Sequence, residues 1–363
     1  MQLKRMYDQT YNWLNERAGL DEVLQFLRHK EVPVFKASIC YYFGGLSLFL
    51  FGVQVLTGIL LLLYYRPGAN TSFESLQLIT SQVHFGWLVR EIHSWSANLM
   101  IFAVFLHMFS VFFLKAYRKP RELTWMSGMV MLGLALGFGF SGYLLPWNSL
   151  AFFATKVGTD MAGSVPLAGN LIVEIIRGGP EVTGATLSRF FGIHVCVLPG
   201  IFIAVLGFHL YLIQRQGISQ PLSWEKLPPE KRKVMSFFPN FTLREMMLWL
   251  AALLVINALA VFFPWELGVK ADPFAPAPAG IKPEWYFLFM FQALKFLPAH
   301  VGPVEGELLG LAVFNLGGLL WFTLPLWDRW SGTGSPRARL ITLLGAVVVA
   351  FIGLMTFLGY VLS

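Results

Sequence analysis

The sequence predicts an all-α membrane protein of seven transmembrane helices, built as a four-helix bundle followed by a three-helix C-terminal part. Three observations carry this prediction. Charged residues make up 13% of the 363-residue chain and hydrophobic residues 56%, where a soluble domain is usually about 25% charged; the mean hydropathy is +0.61. Seven apolar stretches, at 38–64, 90–114, 126–147, 194–214, 246–264, 305–326 and 338–361, lie near or above the ~20 residues that cross a bilayer. Threaded back and forth, those stretches put 19 of the 27 Lys and Arg on the side that holds the amino terminus. That bias orients the amino terminus to the cytoplasm.

The elements follow in order. Residues 1–37 are polar and mixed in charge, without the apolar core and small-residue cleavage site of a signal peptide. Residues 38–214 hold the first four helices, 215–245 form a basic cytoplasmic linker, and 246–363 hold the last three. Two connections are long. The segment 148–193 is amphipathic and contains Gly178-Gly179-Pro180; the segment 265–304 is rich in proline and glycine, from Ala271-Asp272-Pro273 to Pro283. Both fall opposite the amino terminus, on what we call the p side, the amino-terminal side being n. Connections this long usually carry function. The net charge of +7 reads as loop charge that sets orientation, not as a nucleic-acid surface. Cys40 and Cys196 are the two cysteines, with no CxxC, so neither a disulfide framework nor a cysteine metal site is expected.

The second and fourth stretches carry the chemistry. The second holds His93 and His107, the fourth His194 and His209. Histidine inside a membrane segment is costly and usually functional. A spacing of 14 residues rises roughly 21 Å and ends about 40° short of a whole turn; one of 15 rises roughly 22 Å and ends about 60° beyond. Each helix therefore shows two imidazoles near one face, at two depths. Both helices enter from the p side, so His93 meets His194 near p and His107 meets His209 near n. Neutral imidazole is a standard axial ligand of heme iron, and two stacked His–Fe–His pairs, holding two b-type hemes, are the reading of this pattern.

A porphyrin between helices needs close backbone approach. Gly44 and Gly58 in the first helix and Gly128 and Gly142 in the third are again 14 apart, although small residues also serve ordinary helix packing. Arg90 and Arg189 stand at the p-side mouths of their helices and are candidates to meet heme propionates; interfacial anchoring is their ordinary use. Two other function classes share parts of this pattern. A diheme membrane anchor of a dehydrogenase has the four histidines but not the long p-side loops. A heme-free transporter would need broken polar helices at mid-membrane.

The chain resembles cytochrome b of the Rieske/cytochrome b complexes along nearly its whole length. The residues that carry the resemblance are Gly86-Trp87-Leu88-Val89-Arg90-Glu91-Ile92-His93, Lys119-Pro120-Arg121-Glu122-Leu123-Thr124-Trp125, Gly142-Tyr143-Leu144-Leu145-Pro146-Trp147, Thr186-Leu187-Ser188-Arg189-Phe190-Phe191-Gly192-Ile193-His194, Gln216-Gly217-Ile218-Ser219 and Pro283-Glu284-Trp285-Tyr286. The spacing of 15 between His194 and His209, the Gln-Gly-Ile-Ser run and seven helices are similar to the plastid and Firmicutes branch, with its four-helix and three-helix parts fused here. Members of that branch attach an extra c-type heme through a cysteine at the position of Tyr42. Cys40 is two residues earlier, turned by about 200° on a helix, so no extra covalent heme is expected. Asn148 also departs from the Asp or Gly of relatives.

The resemblance implies a subunit of a quinol:cytochrome c (or plastocyanin-like acceptor) oxidoreductase in a respiratory or photosynthetic chain. Quinol oxidation is then expected on the p side, with Glu284 as proton acceptor beside Tyr286, and with Tyr143, Pro146, Trp147 and Phe291 lining the pocket. One electron is expected to leave to a Rieske iron–sulfur protein and the other to cross by the two hemes to a quinone near Arg215, Arg244 and Glu245, coupled to proton translocation. A Rieske protein and a c-type cytochrome subunit are expected as separate chains, in a homodimeric complex in the lipid bilayer.

Overall fold

A computed structural model describes residues 2–165, 167–328 and 335–362. Two amphipathic helices, α1 (Gln2–Ala18) and α2 (Leu20–His29), precede a short strand β1 (Glu31–Pro33). The helices that follow are α3 (Tyr42–Leu62), α4 (Ser72–Ser81), α5 (Gly86–Phe113) and α6 (Glu122–Leu144). The segment between α6 and the fourth apolar stretch folds as α7 (Ser149–Gly163), α8 (Gly169–Arg177) and α9 (Gly184–Gly192). From α9 the chain runs through a π-helical turn, Ile193–Val197, into α10 (Leu198–Gln216). Then come β2 (Val234–Ser236), α11 (Thr242–Phe262), α12 (Trp285–Lys295), a hairpin of β3 (His300–Val301) and β4 (Val304–Glu305), α13 (Gly306–Phe322), α14 (Leu324–Trp327) and α15 (Pro336–Val361).

Among the described residues, six helices are long and apolar enough to cross a membrane: 38–62, 86–113, 122–144, 184–216, 237–262 and 336–361. The sixth apolar stretch of the sequence gives a shorter helix, α13, of 17 residues. Several helices start earlier than their apolar runs because their first turns hold polar residues satisfied inside the protein. The fourth starts ten residues before His194, where Thr183 and Thr186 form a reciprocal cap: Ala185 N–H donates to Thr183 Oγ1 (3.2 Å) and Thr183 N–H to Thr186 Oγ1 (2.9 Å).

Two faces can be read from contacts between connections. On one, β1 pairs antiparallel with β2, Val32 opposite Met235, and the Tyr41 hydroxyl donates to Ser219 O (2.6 Å). On the same face Tyr117, after α5, donates to the buried carboxylate of Asp328, after α14. On the other face the loop after α11 runs against the end of α6: Ser149 N–H donates to Val269 O (2.8 Å) and Ala271 N–H to Trp147 O (3.0 Å). The two long connections thus lie together, opposite the amino terminus.

Packing follows the same division. α3 lies along α5, α6 along α10, α11 along α5, and α12 along α15. Leu50, Met100, Ala103, Ala135 and Ile256 fill the mid-level. Leu144, Trp147, Phe152, Leu187 and Phe190 form the p-face core, and Phe112, Tyr117, Trp125, Leu324 and Ile341 the n-face core. Many remaining Leu, Val and Phe side chains point outward from the long helices, as lipid contact requires.

Candidate heme and quinol site

The site begins with the four histidines. His93 and His194 face each other with ring centroids 6.5 Å apart and planes at 73°. That gap suits one metal ion with an imidazole nitrogen about 2 Å away on each side. His107 and His209 occupy the second level and lie close enough to interact electrostatically. Each glycine of the two sequence pairs faces one imidazole. A methyl at Gly58 would stand 3.5 Å from His93 Cε1, at Gly142 2.8 Å from His194, at Gly44 3.0 Å from His107, and at Gly128 3.4 Å from His209. Close backbone approach to these rings is what the glycines supply.

The imidazoles are oriented by residues that the sequence reading missed. His93 Nδ1 lies 2.9 Å from Thr57 Oγ1, His194 Nδ1 3.0 Å from Ser141 Oγ, and His209 Nδ1 2.8 Å from Ser127 Oγ. Each hydroxyl gives its own proton to a carbonyl of the preceding turn, of Val53, Phe138 and Thr124 respectively. With its proton on that carbonyl, each hydroxyl oxygen is free to accept from Nδ1–H, the tautomer that leaves the Nε2 lone pair for a metal. The available signal was a dipeptide: Thr57-Gly58, Ser127-Gly128 and Ser141-Gly142 each put a hydroxyl just before a site glycine.

The π-helical turn accounts for the unequal spacings. Leu198 N–H bonds Ile193 O, an i→i+5 step. One wide turn absorbs one residue, so the 15 residues from His194 to His209 keep the phase of the 14 from His93 to His107. The fourth helix is continuous but not uniformly α.

A cavity of about 530 Å³ reaches from the upper histidine pair to the second long loop. His93, His194, Gly58, Gly142, Tyr143, Pro146, Glu284 and Tyr286 all line it. Glu284 sits at the head of α12 with its carboxyl toward this space, and burial pushes its pKa above the ordinary carboxylate range. Burial also pushes up the Tyr286 hydroxyl, with the Glu284 charge adding to it. Tyr286 is seated against Gly139, where any Cβ would collide with its hydroxyl. Trp285 turns away, donating from Nε1 to Asn98 Oδ1 (2.9 Å) and packing near Phe102.

Other expected site residues fall elsewhere. Trp147 is 2% exposed, packs edge-on against Phe152 and does not line the cavity; its left-handed backbone (φ 51°) turns the ring into the p-face core. Phe291 is also outside the cavity, beneath the Lys295 ammonium. Arg90 borders the cavity, but its Nη1 is held by Glu91 Oε1 (2.8 Å) and Trp265 O (3.0 Å), while Glu91 Oε2 accepts from Trp265 N–H (2.7 Å). This buried pair clamps the loop after α11. Arg189 is exposed and donates to Ile175 O (2.9 Å), capping α8 away from the cavity. On the n side, Glu245 packs on Gly45 and the Tyr42 ring stacks on Phe241, whereas Arg215 is exposed and bonds Tyr211 (3.2 Å). Cys40 is free, in the turn Ser38–Tyr41 before α3.

The family described as Cytochrome b/b6/petB matches residues 29–217, and the one described as Cytochrome b(C-terminal)/b6/petD matches 270–362. The chain belongs to the cytochrome b/b6 family. It is 49% identical over 354 residues to the cytochrome bc complex cytochrome b subunit of Chlorobaculum thiosulfatiphilum, covering 97% of this chain and 81% of that one. It is 44% identical to cytochrome b6 of Heliobacterium mobile, which covers 58% of this chain and all of the relative. It is 42% identical to the menaquinol:cytochrome c reductase cytochrome b subunit of Geobacillus thermodenitrificans, covering 60% of this chain and all of that one. Among solved structures, a hyperthermophilic respiratory Complex III aligns with a TM-score of 0.84 at 33% identity, covering 96% of this chain and 91% of that one. Membership implies b-type heme, and the four histidines, their glycines and their hydroxyls fit it.

Proposed function

We propose that this chain is the diheme, quinol-oxidising subunit of a Rieske/cytochrome b complex, a quinol:cytochrome c-type oxidoreductase that spans the membrane seven times with its amino terminus in the cytoplasm. The observation that carries the reading is the single cavity shared by His93, His194, Glu284, Tyr286 and Tyr143. Its volume of about 530 Å³ lies in the range of ligand sites.

His93 with His194, and His107 with His209, would hold two hemes b. The chemistry these groups supply when bound is one-electron transfer between the p-side and n-side levels. The chain's own residues do the rest. Glu284, kept protonated to higher pH by burial, stands where a quinol hydroxyl would be. Its carboxylate accepts that proton as the quinol gives up its electrons, one of them to a separate Rieske protein. Tyr143 and Pro146 line the ring space, and Tyr286 closes it. Near the n side, Arg244 and Glu245 provide charge and a proton for a second quinone. Tyr42 in place of a cysteine supports two b hemes without a covalent third.

Glu284→Gln tests the reading. Quinol oxidation by the purified complex should fall steeply while the reduced-minus-oxidised spectrum keeps both b hemes. Undiminished turnover removes Glu284 from the mechanism, and an absence of b heme in the unaltered protein removes the reading.

A further inference from the structure

A second cavity, of about 580 Å³, lies on the face that carries the amino terminus. Two connections build it. The one between α5 and α6 contributes Lys115, Arg118, Lys119 and Arg121, and the loop after α10 contributes Ser219 and Arg232. None of His107, His209, Arg215, Arg244 and Glu245 lines it, and among the described residues that do there is no carboxylate. Five cations around one hollow repel one another, and loop charge that serves only to orient a chain has no need to converge. The buried carboxylate of Asp328 pairs with Arg118 at 3.2 Å and also accepts from Tyr117. Lys115 is 6% exposed, and its Nζ has no hydrogen-bond partner among the described residues; it lies 4.6 Å from the centre of the Phe112 ring. Two guanidiniums are fixed by backbone carbonyls. Arg232 donates from Nε to Leu227 O (3.0 Å) and from Nη2 to Trp224 O (3.1 Å), and Arg121 from Nη2 to Gln216 O (3.2 Å). Each keeps further N–H groups for another acceptor.

We propose that this cavity binds a phosphate-bearing anion, whether dissolved phosphate or the head group of an anionic phospholipid. A cleft lined by one sign of charge raises the local concentration of counter-ions. Guanidinium forks match phosphate oxygens in pairs, and here two of them are already oriented. Ser219 adds a hydroxyl donor at the rim of the same space. The cavity stands at the ends of α5, α6 and α10, the level at which basic pockets between membrane helices take acidic head groups. Bound there, the anion offsets the charge that Asp328 leaves uncompensated and ties the connection before α6 to the loop after α10. Nothing in this site depends on heme.

The purified whole complex, stripped of lipid in phosphate-free detergent, is dialysed against radiolabelled inorganic phosphate. Separately it is incubated with phosphatidylglycerol or phosphatidylcholine, and the retained lipid is counted by native mass spectrometry. Retention of phosphatidylglycerol over phosphatidylcholine marks a lipid head group as the occupant, and saturable phosphate binding without it marks dissolved phosphate. Either should weaken as salt rises. Each cation removed should weaken binding about fivefold. Lys119→Gln and Arg232→Gln should each show that loss and the double variant roughly 25-fold, while Lys4→Gln, exposed on α1 and outside the cavity, should bind as the unaltered protein does. Binding of neither probe overturns the proposal. Equal weakening in Lys4→Gln and Lys119→Gln overturns it as well, because net charge alone would then be the cause. Loss of a b heme in Lys119→Gln or Arg232→Gln does the same, since those cations would then be serving heme. Should Arg232→Gln fail to assemble, Lys119→Gln, at an exposed side chain, decides alone.

Discussion

Alanine at Gly142 should cost the protein its p-side heme, while alanine at Gly58, on the opposite side of the same pair, should not. An alanine Cβ at Gly142 would lie 2.8 Å from His194 Cε1 and 3.3 Å from Nδ1, closer than side chains tolerate, whereas at Gly58 it would lie 3.5 Å from His93 Cε1, an ordinary contact. The His194 ring escapes that contact only by giving up Ser141 Oγ, which holds its Nδ1 at 3.0 Å. Overpacking of this kind costs roughly 1–3 kcal/mol. In helix propensity both substitutions gain about 1 kcal/mol. That gain applies with and without heme, so it cancels from the binding comparison; the clash does not, because heme ligation would fix the His194 ring that the heme-free chain can turn away. At 1.4 kcal/mol per tenfold, Gly142→Ala should hold p-side heme roughly 5- to 150-fold more weakly. The assay is pyridine hemochrome stoichiometry after graded detergent washing, with a low-temperature reduced-minus-oxidised spectrum to tell the two b hemes apart. Two tightly held hemes in Gly142→Ala, or equal losses in the two variants, would refute the geometry argued for the cradle.

Three further outcomes follow from the same structure. Burial raises the Glu284 pKa, so its base form appears only as pH climbs through that raised value: quinol oxidation should rise with pH along a limb above the ordinary carboxylate range, and the limb should vanish in Glu284→Gln. The sign for stability is opposite, since the folded chain holds this proton more tightly than the unfolded one, and the Glu284 contribution is lost as pH rises through the folded pKa. Glu91→Ala leaves the Arg90 cation buried without its partner and Trp265 N–H without an acceptor; removal of one member of a buried pair costs about 3–5 kcal/mol, read as a lower thermal midpoint and faster amide exchange at 263–271, and unchanged exchange there would count against the clamp. Deleting Cys196 takes one residue from the wide turn at Ile193–Val197 and should convert it to α without losing either b heme, whereas loss of the n-side heme in that variant would show that the turn does not set the histidine phase.

Hydropathy made the long helices legible because lipid demands an apolar surface all round a helix, and this demand needs no knowledge of partners. It failed at helix starts. Arg90 and Glu91 read as the charged edge of an apolar run, yet they are buried inside α5, which begins at Gly86. Their partner is the backbone of Trp265, 174 residues from Glu91, and a window along the sequence cannot see it. The same blindness explains Arg189: standing five residues before a histidine, it matches a propionate cation on the sequence, but α8 folds back and offers the Ile175 carbonyl first. Trp147 lies apart from the cavity: its backbone is left-handed, at φ 51°, and its ring is buried in the p-face core.

The four histidines were legible because periodicity alone ties a spacing of 14 residues to one face and to two membrane depths roughly 21 Å apart. Yet periodicity also predicts that His194 and His209, 15 apart, should diverge by about 100° from the relation between His93 and His107. A strictly α-helical fourth segment would leave one imidazole rotated off its partner's axis. The wide turn at Ile193–Val197 removes that discrepancy, and it does so just at His194, where Ser141 can fix the ring after the helix has been rephased. The additional residue and the π turn therefore compensate each other. Neither is interpretable alone: the sequence shows only an irregular spacing, the backbone only an irregular helix, and it is the need to aim His194 and His209 at two facing imidazoles that makes both of them parts of one site.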